Sequence, residues 1–212
     1  MIQKLIFFIC IGFPFLLSAQ DGPPQRFKAG ITAGLNASQI NGDQSAGFEK
    51  LGLVAGIRGV TVINEKMELS LEILFSQRGS RSDLFNSNNT NIPFNIELNY
   101  IEVPVLFNFG DWLSNDEEYY RLHFHAGFSY GNLFSTNIED DGTGILTADA
   151  EFYRTNNVSW LGGFTYFINK HLGATVRYSR SITPLFEPEN PAPNQRSLIG
   201  HFFTIRALFM FN

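Results

Sequence analysis

The sequence predicts an all-β chain folded as an eight-stranded antiparallel up-and-down barrel. Three observations carry that expectation. Apolar and polar residues alternate strictly over long segments, which is the period of a strand. Short turns and long polar connections join those segments in alternation. The composition favours strands, with 22 Phe, 7 Tyr, 2 Trp and 19 Gly in 212 residues and few helix formers at helical spacing.

A separate element comes first. Residues 1–20, MIQKLIFFICIGFPFLLSAQ, place Lys4 near the start, an apolar run from Leu5 to Leu17, and then the small residues Ser18 and Ala19. This is the layout of a secretory signal peptide, cleaved after Ala19 or Gln20, and it leaves 21–212 as one barrel domain. The run falls short of the ~20 apolar residues of a spanning helix. Cys10, the single cysteine, lies inside it and ahead of most of the apolar run, which makes it a poor lipid acceptor. The mature chain is therefore expected to have neither a disulfide nor a thiolate metal site. The 15 basic residues lose Lys4, leaving 14 against 20 acidic ones. That negative balance excludes the basic footprint of a nucleic-acid binder.

The strands follow in order. The first, 27–39, alternates Phe27, Ala29, Ile31, Ala33, Leu35 and Ala37 with Lys28, Gly30, Thr32, Gly34, Asn36 and Ser38. The second, 52–63, carries Arg58 on its polar face. The third, 67–79, sets Met67, Leu69, Leu71, Ile73 and Phe75 against Glu68, Ser70, Glu72, Ser76 and Arg78. The fourth, 97–109, sets Ile101, Val103, Val105, Phe107 and Phe109 against Tyr100, Glu102, Pro104 and Asn108. Proline donates nothing to a ladder, so Pro104 predicts a bulge or a locally weakened pairing. Glu102 beside it needs a cationic partner, and Arg58, Arg78 and Arg121 are the candidates. The fifth, 119–134, sets Leu122, Phe124, Ala126, Phe128 and Tyr130 against Arg121, His123, His125, Gly127 and Ser129. The sixth, 157–168, offers Val158, Trp160, Phe164, Tyr166 and Ile168; the seventh, 171–181, carries Arg177. The eighth, 200–211, sets Phe203, Ile205, Ala207, Phe209 and Phe211 against Thr204 and Arg206.

Most of these segments exceed the ~5–6 residues of an ordinary globular strand. They match the ~9–11 that a tilted strand needs to cross a bilayer. Asn64-Glu65-Lys66, Asn169-Lys170 and the modest GDWLSNDEE are short connections, whereas 40–51, 80–96, 135–156 and 182–199 are long and rich in Asn, Ser, Asp, Gly and Pro. Short turns at one end and long loops at the other is the layout of an outer-membrane barrel, with both termini on the short-turn, periplasmic side.

The two faces decide which side meets lipid. Lys28, Arg58, Glu68, Glu72, Arg78, Glu102, Arg121, Arg177 and Arg206 all fall on the polar face. A soluble lipocalin-like barrel would turn them to water and fill its core with the other face. An eight-stranded interior is only just wide enough for side chains, and so many Phe, Leu and Ile would overfill it. Charges of both signs among Gly, Ser and Thr fit a narrow lumen as an ion-pair network. The reading is thus a transmembrane barrel of the smallest outer-membrane size, with its lumen plugged by side chains. Trp112 and Tyr119 near the short turns, and Trp160 and Tyr178 toward the loops, sit where amphipathic rings meet a membrane interface.

The pieces KAGITAGLNASQI, GIRGVTVINEKMELSLEILFSQRGS and LNYIEVPVLFNF resemble the outer-membrane β-barrel domain of Bacteroidota known as the PorT family. The resembling motifs are Gly30, Gly34, Leu35 and Asn36 in the first strand, LEILFSQRG from Leu71 to Gly79, and YIEVPVLF from Tyr100 to Phe107. The resemblance implies fold and place more than activity. The family's namesake takes part in type IX secretion across the outer membrane, so a role assisting protein secretion is implied here. The aromatic that commonly ends such barrels is penultimate in this chain, Phe211 before Asn212.

No constellation points to chemistry. His123 and His125 share a strand face at a spacing that suits metal ligation, with Glu102 as the nearest third ligand. The simpler reading has them hydrogen-bonding in the lumen, and no metal is assigned. Ser129 lies four residues from His125, ~13 Å along a strand, and no serine stands in a nucleophile motif. The acidic loop residues Glu139, Asp140, Asp141, Asp149 and Glu151 read as a solvated tip. The expectation is therefore no enzyme and no cofactor, but a monomer in contact with outer-membrane lipid, lipopolysaccharide and envelope or secretion-system proteins. A small pore and a soluble periplasmic carrier are the alternatives.

Overall fold

The computed structural model describes residues 26–41, 50–81, 94–114, 119–140, 154–184 and 199–211. The signal segment 1–20 and the tip residues Asp141, Asp149 and Glu151 lie outside the described residues. Among those described there are eight strands: β1 (Phe27–Asn41), β2 (Lys50–Val62), β3 (Met67–Arg81), β4 (Phe94–Leu113), β5 (Tyr120–Asp140), β6 (Asn156–Phe167), β7 (Leu172–Ser181) and β8 (Ile199–Phe211). Each pairs antiparallel with its neighbour in sequence, and β8 closes on β1 from Ala29↔Phe211 to Asn41↔Ile199. Closure leaves no sheet edge, so every strand finds ladder partners on both sides.

The alternation resolves into two faces as the sequence predicts for a membrane barrel. Outside, Ile57, Phe128 and Ile205 are 57 %, 63 % and 65 % exposed. Inside, Glu72, Leu106 and Arg58 are 0 %, 0 % and 4 % exposed. A soluble carrier would hold the apolar face inward, and this orientation removes that alternative.

Two elements differ from the sequence reading. β4 and β5 run to 20 and 21 residues. At the short-turn end, the part of GDWLSNDEE from Gly110 to Leu113 is strand, because the β4–β5 ladder continues to Leu113↔Tyr120 and Ser114 N–H donates to the Tyr119 carbonyl at 2.8 Å. At the loop end, the polar residues after Phe134 continue as strand in register with 94–99. A polar sequence reads as loop on composition alone, yet here a ladder partner of equal length holds it extended.

The proline expectation divides. β3 and β4 keep one register on both sides of Pro104, but pairing is missing between Leu71↔Val105 and Leu74↔Glu102. The missing N–H weakens the ladder without bulging it. The register shift lies instead between Asn99 and Tyr100, on the β5 side.

Two backbone details serve closure and the rim. A Cβ on Gly34 would overlap the Ile205 carbonyl oxygen and the Arg206 backbone, so only glycine lets β1 approach β8 beside Arg206. Trp112 takes φ 58°, uncommon for a bulky residue. The inside–outside alternation breaks there, leaving Trp112 60 % exposed with its ring 6.3 Å from that of Tyr166. At the other end Trp160, Tyr178 and Phe203 form an outer aromatic row, with centroids 5.5 and 5.0 Å apart.

Candidate functional site

Inward-facing polar residues from every strand meet in the bore, and they stack in three layers. The central layer is built on Glu72. Arg177 donates from Nη1 and Nη2 to its two oxygens at 3.0 and 3.2 Å, and Arg206 Nη2 donates to both at 2.8 and 2.9 Å. Arg58 Nη1 stands 3.7 Å from Oε1. One carboxylate from β3 therefore ties β2, β7 and β8 together across the lumen. Arg58 Nη2 also donates to Asn108 Oδ1 at 2.8 Å, and Asn108 Nδ2 donates to Ser70 Oγ at 2.9 Å. Arg177 Nε donates to His125 Nε2 at 3.3 Å, which places the ring proton of a neutral His125 on Nδ1.

The layer toward the loops is built on Glu102. It accepts from Arg78 Nη2 and from Ser129 Oγ, the latter at 2.6 Å. Of the three candidate partners, Arg78 is the one that reaches it. The Arg78 guanidinium also lies 3.9 Å from the Phe202 ring centroid and 5.1 Å from that of Tyr100, and contacts of this kind add to the attraction in a desolvated site. Asn36 bridges the wall above by donating to Ser76 Oγ at 3.1 Å and accepting from Thr204 Oγ1 at 2.8 Å.

The layer toward the short turns is smaller. Lys28 Nζ donates to Glu68 Oε1 at 3.0 Å, and His123 Nδ1 stands 3.7 Å from Glu68 Oε2. Arg121 is not brought into any of these pairs; its Nη2 donates to Ser114 Oγ at 3.3 Å near the rim. Below this layer the bore widens into a cavity of about 460 Å³ that opens at the short-turn end. Its walls combine Val60, Val62, Leu113, Phe167 and Met210 with Lys28, Arg58, Lys66, Glu68 and Lys170.

The nine charged positions singled out by sequence thus face the bore, but as separate clusters rather than one network. Glu72 holds Arg58, Arg177 and Arg206; Glu102 holds Arg78; Glu68 holds Lys28; Arg121 stands apart. Sequence reasoning placed Asn108 and Ser129 on the polar face without naming their partners, and it passed over the Lys50–Glu97 pair at 3.4 Å. Asn108 and Ser129 share the parity of the charged residues on their strands, which is the signal that put them on that face. Glu102 is engaged by Arg78 and Ser129, His125 faces Arg177, and His123 faces Glu68. Among the described residues no three His, Cys, Asp or Glu gather as metal ligands.

Comparison with known proteins agrees with this geometry. Residues 18–187 match the family model described as outer membrane protein beta-barrel domain. Among solved structures, the chain is similar to neisserial surface protein A at 12% identity and a TM-score of 0.50, over 88% of this chain and 98% of that one. It is also similar to Ail, the attachment invasion locus protein of Yersinia pestis, at 10% identity and 0.48, over 88% and 100%. A third likeness is to OprG of Pseudomonas aeruginosa, at 9% identity and 0.43, over 88% and 94%. At these identities such a likeness concerns fold alone. No curated protein matches the chain in sequence.

Proposed function

The chain belongs to the outer membrane protein beta-barrel domain family, and on that footing we propose that it works at the two ends of a plugged barrel, as a structural or interaction protein of the outer membrane. The observation that carries this reading is the Glu72 clamp. Three arginines from three other strands converge on one carboxylate in the middle of the bore, and Leu106, Leu161 and Leu208 are buried on the inner face. A path through the middle would have to part these pairs, and separating buried charges is costly.

In this reading the barrel is a monomer with its termini and short turns in the periplasm. Its outer belt contacts lipid and lipopolysaccharide, and its long connections and short-turn end are the surfaces left for envelope partners. It performs no catalysis and needs no cofactor. The PorT-like resemblance of the first, third and fourth strands makes the secretion machinery the partner to test first. The test is to delete the gene in its host and compare the proteins of the culture medium with those of the parent. Loss of many secreted proteins from the medium, with their retention in the periplasm, is the expected result. An unchanged medium would remove the secretion role and leave a structural one.

A further inference from the structure

We propose that the cavity at the short-turn end is a binding site for a small amphiphile that carries one carboxylate head on a short apolar tail. The charge of the bore argues for the head. The pairs Arg78–Glu102 and Lys28–Glu68 are balanced, one cation to one anion. The central layer is not: Arg58, Arg177 and Arg206 share the single carboxylate of Glu72, which leaves a formal excess of two positive charges. Arg58 brings that excess beside the cavity, because the side chain that reaches Glu72 and Asn108 belongs to one of the residues that line it. Arg58 is 4 % exposed, and its Nε has no hydrogen-bond partner among the described residues. An anion in the adjoining cavity offsets this buried charge.

The walls argue for the tail. Val60, Leu208 and Met210 form an apolar cluster against which Phe167 packs, and Val60, Met210 and Phe167 line the cavity between Arg58 and the mouth. A buried cation at the inner end, an apolar sleeve above it and about 460 Å³ of space match the usual make-up of a small-molecule site, apolar walls with a few placed polar groups. The charged lining is cationic in balance, with Lys28, Arg58, Lys66 and Lys170 against Glu65 and Glu68, and Lys28 lies at the side within reach of the head.

The mature barrel offers its own reporters. Its methionines are Met67 and Met210: Met210 lines the cavity, and Met67 opens β3 opposite Phe109 on the outer face. The experiment follows the methionine methyl resonances of the refolded, methyl-labelled protein in micelles during titration with sodium hexanoate. The expected result is a saturable shift of Met210 with Met67 unmoved, absent with hexylammonium and at least about tenfold weaker with acetate. Lys28→Gln is expected to weaken hexanoate binding about tenfold, the size of one charged hydrogen bond, and Arg58→Gln to abolish it. Should Arg58→Gln fail to fold, the Lys28→Gln titration and the hexylammonium comparison still decide. An unmoved Met210, an equal shift with hexylammonium, or a Met67 shift that tracks Met210 would overturn the proposal. Acetate binding as tight as hexanoate would overturn it too, by showing an anion hole with no place for a tail.

Discussion

Glu72→Gln is expected to lower the stability of the barrel by about 3–5 kcal/mol, the cost of removing one partner from a buried ion pair. The side chain is fully buried, accepts four hydrogen bonds from Arg177 and Arg206, and faces Arg58. Glutamine keeps the shape but removes the only negative charge of the central layer, so three guanidiniums remain in a narrow bore with no counter-charge. Urea unfolding in detergent micelles, read as the loss of the heat-modifiable folded band, measures the change. Glu102→Ala is expected to cost less, because it releases one guanidinium that keeps its contacts with Phe202 and Tyr100. Coupling gives a second readout: Glu72→Gln combined with Arg206→Gln should be less damaging than the sum of the two, since residues in one network do not add. An unchanged midpoint for Glu72→Gln would show that the clamp contributes nothing.

Leu71→Arg is expected to destabilise the barrel in a bilayer by about 2–4 kcal/mol, the cost of a cation on the lipid face near the midplane. Leu71 is the middle residue of the outward row Met67, Leu69, Leu71, Ile73 and Phe75, and it is half exposed between Gly59 of β2 and Val105 of β4. A leucine side chain makes no hydrogen bond or ion pair for arginine to break. The whole effect therefore comes from what surrounds the barrel. In water the same change on the outside of a soluble barrel stays within about 0.5 kcal/mol. Unfolding titrations of Leu71→Arg and of the unaltered barrel in lipid vesicles give the comparison, and a neutral Leu71→Arg would mean that this face does not meet lipid.

Much of this fold was legible because a period of two is hard to mistake over ten or more residues. The first strand shows it plainly, since Phe27 to Ser38 alternates without a break and pairs with β2 throughout and with β8 from Ala29 onward. The orientation of the faces was legible from volume: the apolar set is too bulky for an eight-stranded interior, the charged set is not. What failed to show was anything fixed by a partner strand. The residues after Phe134 look like loop and are strand because 94–99 lie beside them. Pro104 signalled a weak ladder, while the true irregularity between Asn99 and Tyr100 bears no residue that announces it. The site was half legible for the same reason. Parity places Arg58, Glu72, Arg177 and Arg206 inside, but only the register and tilt of the closed barrel put them at one level and left Arg121 at the rim. The cavity below was invisible to sequence, because Val60, Phe167 and Met210 read as ordinary strand residues until closure brings β2, β6 and β8 around one space.

In the proposed reading the Glu72 clamp closes the bore and leaves the two ends to do the work. Conductance across a planar bilayer tests it most directly. The purified barrel, inserted and verified as folded, is expected to show no steady ohmic current above that of the lipid alone. A stable single-channel conductance, with an ion selectivity that changes in Glu72→Gln, would contradict the account and make the protein a pore.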